Sequence, residues 1–434
     1  MSEQGAQAIF EELRQKVLSG ELPGGSALPS VRELAEQRGI NRNTAAAVYK
    51  RLVAAGLAMT RGRLGTVVSD QGSPGALEGE ASLSWVQAVG GDLSGGNPAQ
   101  VLLPDPARYL GMAGYNPRLY GCETVHPKLE SVAQAWFADV IHDGVQVSVT
   151  HGAVDAIERL LMGYVMAGEA VAVEDPCFLG SIHTLKALGM RAVGVEVDTE
   201  GLKPEALEAA LKSGIRALVY TPRAHNPTGC SISAKRAEVL SKLLAAYADV
   251  LLIEDDHFAL LADTPCHSII PPGCAHWARI RSVSKGLGPD LRLAMLVSDR
   301  QSAQRLGLRL ASGATWVSHI LQATVATMLS HDTVREQLTA ARDFYRQRRL
   351  GLREALEQRG MAILQPCDGL NVWIPLASDA NRVAHDLARR GWVVRPGGVF
   401  SLQQRQQAIR VTISTLDDER ANRFADDLLE CMRG

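Results

Sequence analysis

Between residues 145 and 297 short apolar runs alternate with stretches of helical period, and no other feature constrains the fold as tightly. The runs lie at 145–149, 170–174, 191–197, 216–220, 249–253 and 291–297, with helical segments such as 202–212 and 234–246 between them. Continuous apolar runs of this length fit strands covered on both faces, and strands separated by helices are joined by crossovers. The expected body is therefore an α/β domain with a mainly parallel sheet. From about residue 300 the pattern changes to long helical stretches, followed by short strands near 362–374 and 408–413. A second, smaller α+β lobe is expected there.

A chain of 434 residues exceeds one ordinary core, at roughly 150 residues per domain. Residues 71–84, QGSPGALEGEASLS, are rich in Gly, Ser and Ala and lack apolar periodicity, so they read as part of a linker. The expected division is a head at 1–70, a linker at 71–89 and a body at 90–434. Within the body, the large lobe spans about 115–300, and the small lobe about 301–434 together with part of the N-terminal segment. The formal net charge of −2 carries no whole-chain basic signal, so any affinity for nucleic acid must come from a local patch. The seven cysteines are scattered and form no CxxC pair. That argues against a disulfide framework and a metal site, and fits a reducing cytoplasm. No run approaches the roughly 18 apolar residues of a membrane span, so no membrane partner is expected.

The head has the punctuation of two short helices across a tight turn. Ser30 opens PSVRELAEQRG with Glu33 three residues on, a reciprocal capping pattern, and Gly39 closes that helix. Asn41 then caps a second helix in which Ala45, Val48 and Leu52 share one face, and Gly56 ends it. In a helix-turn-helix the second helix points its N-terminal residues into the major groove of double-stranded DNA. Here those residues are Asn41, Arg42, Asn43 and Thr44, with Arg32 on the preceding helix. The run LAMTRGRLGTVVS reads as two short strands around a wing tip of Arg61, Gly62 and Arg63. Residues 32–63 hold seven Lys or Arg against two Glu, so positive charge is concentrated where this motif needs it. The plainer reading is a three-helix packing module with a solvated basic face. The phrases VLSGELPGG, LPSVRELAEQRGINRNTAAAVYKRL and RGRLGTVV make residues 8–69 similar to the winged helix-turn-helix head of GntR-type bacterial regulators. Ala46 departs from that family's usual contact residue, so base preference does not carry over.

In an open parallel sheet, ligands gather beyond the carboxyl ends of the strands. The chemically distinctive residues fall at those ends. After VQVSV comes Thr150-His151-Gly152-Ala153 and a helical run, whose N-terminus offers N–H groups to an anion. Phe178 follows AVAVE, Asn226 follows ALVYTP, Asp255 and Asp256 close DVLLIE, and Lys285 follows RIRS. Singly, each fits capping, core or surface chemistry. Together, an amine, an acid, an amide, an aromatic face and an anion cradle meet the needs of pyridoxal 5'-phosphate.

Residues 90–434 resemble the fold-type I aminotransferases, and the whole chain resembles the MocR subgroup of GntR regulators. The resemblance implies that Lys285 in SVSKGLGPDLRLAML forms an imine with the cofactor, while Arg292 and Ser282 clamp its phosphate together with the Gly152 and Ala153 helix start. It implies that Asp255 partners the pyridine nitrogen, Asn226 in HNPTG contacts the ring hydroxyl, and Phe178 stacks on the ring. Tyr120 in LYGCETVHPKLE is implied to reach the phosphate from the other subunit of a homodimer, and Arg410 in IRVTIST to bind the α-carboxylate of an amino acid. His257 stands where a tyrosine usually supports the ring hydroxyl, and Thr124 and Glu130 stand where the family's GxxxLR phrase carries Gly and Arg. These departures point away from efficient transamination. The expected function is a regulator that binds DNA through its head and senses a B6 vitamer or an amino acid through its body, with control of vitamin B6 metabolism as the pathway. The alternative is a working aminotransferase with an appended DNA-binding-like module. A third reading, a storage protein for the cofactor, leaves the head unused.

Overall fold

The structure is a computed structural model in which residues 3–23, 25–54, 57–60, 65–68, 91–114, 116–140, 144–403 and 406–433 are described. The wing tip at Arg61, Gly62 and Arg63, Gly56, and the linker residues fall outside them.

The head is built from α1 (Glu3–Leu18), α2 (Val31–Arg38), α3 (Arg42–Ala54), β1 (Ala58–Thr60) and β2 (Thr66–Val68), the last two antiparallel. Ser30 and Glu33 form the reciprocal capping box, and Gly39 closes α2 in the left-handed region at φ 61°. Asn41 starts α3 by accepting from the Thr44 N–H at 2.7 Å. These caps satisfy end groups that a helix as short as α2 would otherwise leave to water. Ala45, Val48 and Leu52 are fully buried in one cluster with Leu13, Val17 and Leu34. Tyr49 donates to the Pro29 carbonyl at 2.6 Å, and Arg38 of α2 pairs with Glu12 of α1 at 2.6 Å. The three helices are thus cross-tied around one small core.

In the body, β3 (Gly91–Asp92) precedes an eight-stranded sheet. That sheet holds β4 (Gln146–Thr150), β5 (Ala170–Asp175), β6 (Arg191–Asp198), β7 (Gly201–Leu202), β8 (Ala217–Tyr220), β9 (Leu251–Asp255), β10 (Trp277–Ser282) and β11 (Ala294–Ser298), in the order β4-β11-β10-β9-β8-β5-β6-β7. β11 runs antiparallel to both its neighbours and β7 is an antiparallel edge, while β10, β9, β8, β5 and β6 pair in parallel. Burial of β5, β8, β10 and β11 along their whole length reflects helices on both faces. The expected strand at 249–253 lies two residues later, because Asp249 is exposed in the preceding turn.

β10 is not an apolar run: WARIRS carries two arginines and is nonetheless buried throughout. Arg279 is paired in register with Glu254 of β9 and forms an ion pair with it, and Arg281 bonds Asp256 at 3.0 Å. Two charges that would be prohibitive alone are buried as pairs. A further sheet is formed by β12 (Asn371–Pro375), β14 (Arg395–Pro396) and β15 (Ala408–Thr412) in the order β12-β15-β14, and β13 (Trp392–Val393) pairs with β3. Residues 362–370, expected within a strand, are turn and coil that includes the left-handed Gly369. Among the described residues no helix is long and apolar enough to cross a membrane.

Candidate functional site

A cavity opens beyond the carboxyl ends of β4, β5, β8, β9 and β10. Its lining brings together residues more than 130 positions apart in sequence, including Gly152, Phe178, Asn226, Asp255, Lys285 and Arg292. Ala153, His257 and Ser282 also line it.

Gly152 caps the helix Ala153–Tyr164 with φ 97°, a conformation that suits glycine. A Cβ there would lie 3.7 Å from Nη2 of Arg292, so the guanidinium sits directly over the helix start. Arg292 itself is left-handed, at φ 43°, a backbone state that costs a non-glycine residue on the order of 1 kcal/mol. Backbone N–H groups at a helix N-terminus and a guanidinium facing the same space make an anion cradle. Ser282 accepts from the Ser284 N–H at 3.2 Å, and the two hydroxyls lie 3.1 Å apart, so Ser284, which motif reading passed over, joins the polar rim.

Asp255 ends β9, and its Oδ1 is buried without a hydrogen-bond partner among the described residues. Burial, then the neighbouring Asp256 and Glu174 carboxylates, push its pKa up to about 7. A cationic ring N–H would satisfy both the orphaned oxygen and its charge, so the residue fits a pyridine-type cofactor. The adjacent Asp256 has a different task. Burial opposes its charge, but Arg223 at 2.8 Å and Arg281 at 3.0 Å outweigh it and hold its pKa down. His257 is lowered to about 4 by burial and by Lys285, which keeps the imidazole neutral at physiological pH.

The Phe178 ring folds over the first turn of its own helix, Leu179–Ala187, and a Cβ on Gly180 would come within 2.2 Å of it. Asn226 is buried, and its Oδ1 accepts from Arg410 Nη1 at 3.0 Å. Arg410, fully buried on β15 and stacked over Phe400 at 4.9 Å, also donates to the Ser94 carbonyl, and it does not line the cavity. Lys285 donates to the Gly96 carbonyl at 2.6 Å. Tyr120 is not brought to the site within this chain: it is 89% exposed and packs edge-on against Trp316.

One further acid that the motifs did not single out lines the cavity. Glu174, on β5, lines the cavity and faces His225 Nε2 at 3.2 Å. Burial opposes charge on His225, but Glu174 prevails and its pKa is pushed up to about 10. Glu174 was readable as an acid at the end of an apolar run, whereas Arg223 gave no sequence signal of its role.

On the head, Asn41, Arg42 and Asn43 are exposed at the start of α3, and Thr44 is partly buried. The Thr44 hydroxyl is 2.9 Å from Asn41 Oδ1, so both side chains are engaged in capping. Arg32 is exposed and pairs with Glu36 at 3.0 Å.

Residues 6–68 match the bacterial regulatory proteins of the gntR family, and residues 113–428 match aminotransferase class I and II. The chain is 47% identical over 427 residues to the vitamin B6 salvage pathway transcriptional repressor PtsJ of Salmonella typhimurium, covering 98% of both chains. It is 28% identical to the HTH-type transcriptional regulator TauR of Rhodobacter capsulatus, over 95% of this chain and 94% of that one. Among solved structures, a multiple substrate aminotransferase from Thermococcus profundus superposes with a TM-score of 0.72 at 20% identity, over 81% of this chain and 92% of that one. A gntR-type head and an aminotransferase body in one chain, matched end to end by a regulator of the same plan, place this protein in the MocR-type subgroup of the GntR family.

Proposed function

We propose that the chain is a pyridoxal-phosphate-responsive transcriptional repressor of vitamin B6 salvage genes. The observation that carries the cofactor half is the buried, unpartnered Oδ1 of Asp255, set in one cavity with Lys285 and with the Arg292 and Gly152 cradle. In this reading Lys285 would present its amine to the cofactor carbonyl, and Arg292, Ser282 and the N–H groups after Gly152 would hold the phosphate. Asp255 holds a proton on the ring nitrogen, Phe178 covers one ring face, and Asn226 and neutral His257 border the ring hydroxyl. Bound there, the cofactor supplies a reactive carbonyl and an electron-withdrawing ring.

The DNA half is supported by the family match and by the exposed Arg42 and Asn43 at the start of α3, with Arg32 nearby. The full-length likeness to a B6 salvage repressor supports both the pathway and the sign of regulation. The working unit in this reading is a homodimer, in which Tyr120 serves the partner's phosphate site. Its exposure, with that of the adjacent Leu119, supports that assignment. Regulation then acts by a difference in cofactor affinity between the DNA-competent and DNA-released states.

Purified protein mixed with pyridoxal phosphate is expected to absorb visible light and to bleach on borohydride reduction. Lys285→Ala should lose the reducible adduct while keeping weaker, noncovalent binding. An adduct of undiminished intensity in that variant removes Lys285 from the role.

A further inference from the structure

Among the described residues the cavity lining holds two acids, and Glu174 is the one that the cofactor reading leaves without a task. It sits on β5 and is 5% exposed. Its Oε1 accepts from the Thr221 N–H at 3.0 Å, and its Oε2 faces His225 Nε2 at 3.2 Å. His225 is 1% exposed. On the other side of the imidazole, Nδ1 lies 2.7 Å from the Thr228 hydroxyl. That hydroxyl donates its proton to Cys230 Sγ at 3.0 Å, so toward His225 it can only accept. Nδ1 therefore carries a proton. Nε2 carries one as well, because a bare lone pair there would face a carboxylate oxygen. The contacts alone thus make His225 an imidazolium. Burial opposes that charge, and Glu174 holds the pKa up at about 10 all the same.

Neutral groups would keep the same contacts: an amide at 174 still accepts from Thr221, and a neutral imidazole still donates to Thr228. A buried ion pair carries a desolvation cost that a neutral pair avoids. The placement of the two charges gives them a use. His225 directly precedes Asn226. Its charge reaches His257, which is lowered by burial first, then by Lys285, and also by His225. Glu174 instead reaches Asp255, which is raised by burial first, then by Asp256, and also by Glu174. The positive pole of the pair is thus felt on the side of Asn226, His257 and Lys285, and the negative pole on the side of Asp255. A hydroxypyridine has the matching polarity when its ring nitrogen is protonated and its hydroxyl is ionised.

We propose that Glu174 and His225 form a buried dipole that selects the zwitterionic form of a B6 vitamer, with its ring nitrogen protonated and its ring hydroxyl ionised. This rests on the cofactor reading given above and deepens it: Asp255 would receive the ring N–H, and Asn226 the ring oxide, within a field that the pair sets. Both residues are positioning groups, acting through that field rather than by moving protons to or from the ligand. Charges fixed in the fold need no reorientation when the ligand arrives. In a cavity poor in water they also act more strongly than they would in solvent. A ring without an ionisable hydroxyl would gain nothing from the dipole, so the pair is a specificity device for the hydroxypyridine class.

The test uses full-length protein and deoxypyridoxine phosphate, a vitamer with no carbonyl for Lys285 to engage, whose zwitterionic and uncharged forms differ in ultraviolet spectrum. Wild type is expected to bind it as the zwitterion at neutral pH. Glu174→Gln should lower the ratio of zwitterion to uncharged form at least about tenfold, the effect of changing the pKa of either ring group by about one. His225→Gln leaves a buried carboxylate without its counter-ion, and such a group takes up a proton. The two variants should therefore converge on one spectrum. A role confined to holding the turn would change affinity or thermal midpoint without moving this ratio. A bound spectrum in either variant equal to that of wild type, or binding of the uncharged form by wild type, overturns the proposal. The pair itself is read by NMR on cofactor-free protein carrying isotope-labelled histidine. The signal lost in His225→Gln should be a doubly protonated imidazolium at neutral pH, and a singly protonated ring overturns the proposal. Because that readout needs no bound vitamer, it decides the matter where a variant does not take up the probe. Failure of wild type to bind both the probe and pyridoxal phosphate instead sinks the cofactor reading on which the dipole's role rests.

Discussion

Asp255 and Asp256 are neighbours of the same type with opposite chemistry, and the difference lies in what faces each. Two guanidiniums hold Asp256 ionised, whereas Asp255 meets burial and carboxylates with no partner on Oδ1 among the described residues. The sign of the pH effect follows from that. The folded-state pKa of Asp255 is raised to about 7, so between about pH 4 and pH 7 the folded, cofactor-free protein binds more protons there than the unfolded chain. Its contribution to stability falls as pH rises through that window. Asp255→Asn should therefore flatten this fall in thermal midpoint for the cofactor-free protein while weakening cofactor binding. An unchanged pH slope in the variant contradicts the assignment. Gly180→Ala is expected to weaken cofactor binding by roughly two- to tenfold, because its Cβ would displace the Phe178 ring from its stacking position; equal affinity by absorbance titration would show that Phe178 does not stack. Sequence reading named Asp255 and Phe178 from their places at strand ends. It missed the protonation difference between the two aspartates, because Arg223 and Arg281 are 33 and 25 positions from Asp256. It also missed that the Arg410 guanidinium is already held, since a backbone carbonyl 316 positions away carries no sequence signature.

Elements with local signals were legible, and elements stabilised by distant partners were less so. The capping box of α2, the Asn41 cap of α3, the apolar run that opens β5 and the apolar β8 follow from residues within one turn or one run. β10 does not: WARIRS reads as half polar until Glu254 and Asp256 on the neighbouring strand and its end are in place. The coil at 362–370 shows the converse, since its apolar residues suggest a strand but Gly369 at φ 84° turns the chain into β12. For α3 the exposed first turn carries a prediction. Arg42→Ala should flatten the dependence of log K on log salt by about 0.9 for each DNA phosphate that the arginine no longer neutralises, measured by fluorescence anisotropy on duplex DNA. Unchanged slope and affinity would return α3 to the role of a packing helix.

At the scale of the whole molecule, the body and the head have separate cores, and residues 91–99 are the first described backbone of the body after the linker. Gly96 in that stretch accepts from Lys285 Nζ, so a ligand that engaged this amine would change a bond on the chain segment nearest the linker. A ligand alters DNA affinity only to the extent that it binds the two states of the protein unequally, so cofactor binding and DNA binding must shift each other by the same factor. That reciprocity separates a regulator from an aminotransferase carrying an idle head. The most direct test captures sheared genomic DNA with purified full-length protein, with and without pyridoxal phosphate, and sequences what is retained. A cofactor-responsive repressor should retain a small set of discrete sites, with occupancy that changes on adding pyridoxal phosphate for wild type but not for Lys285→Ala. Discrete sites whose occupancy is identical with and without cofactor, or no discrete sites at all, would contradict the account.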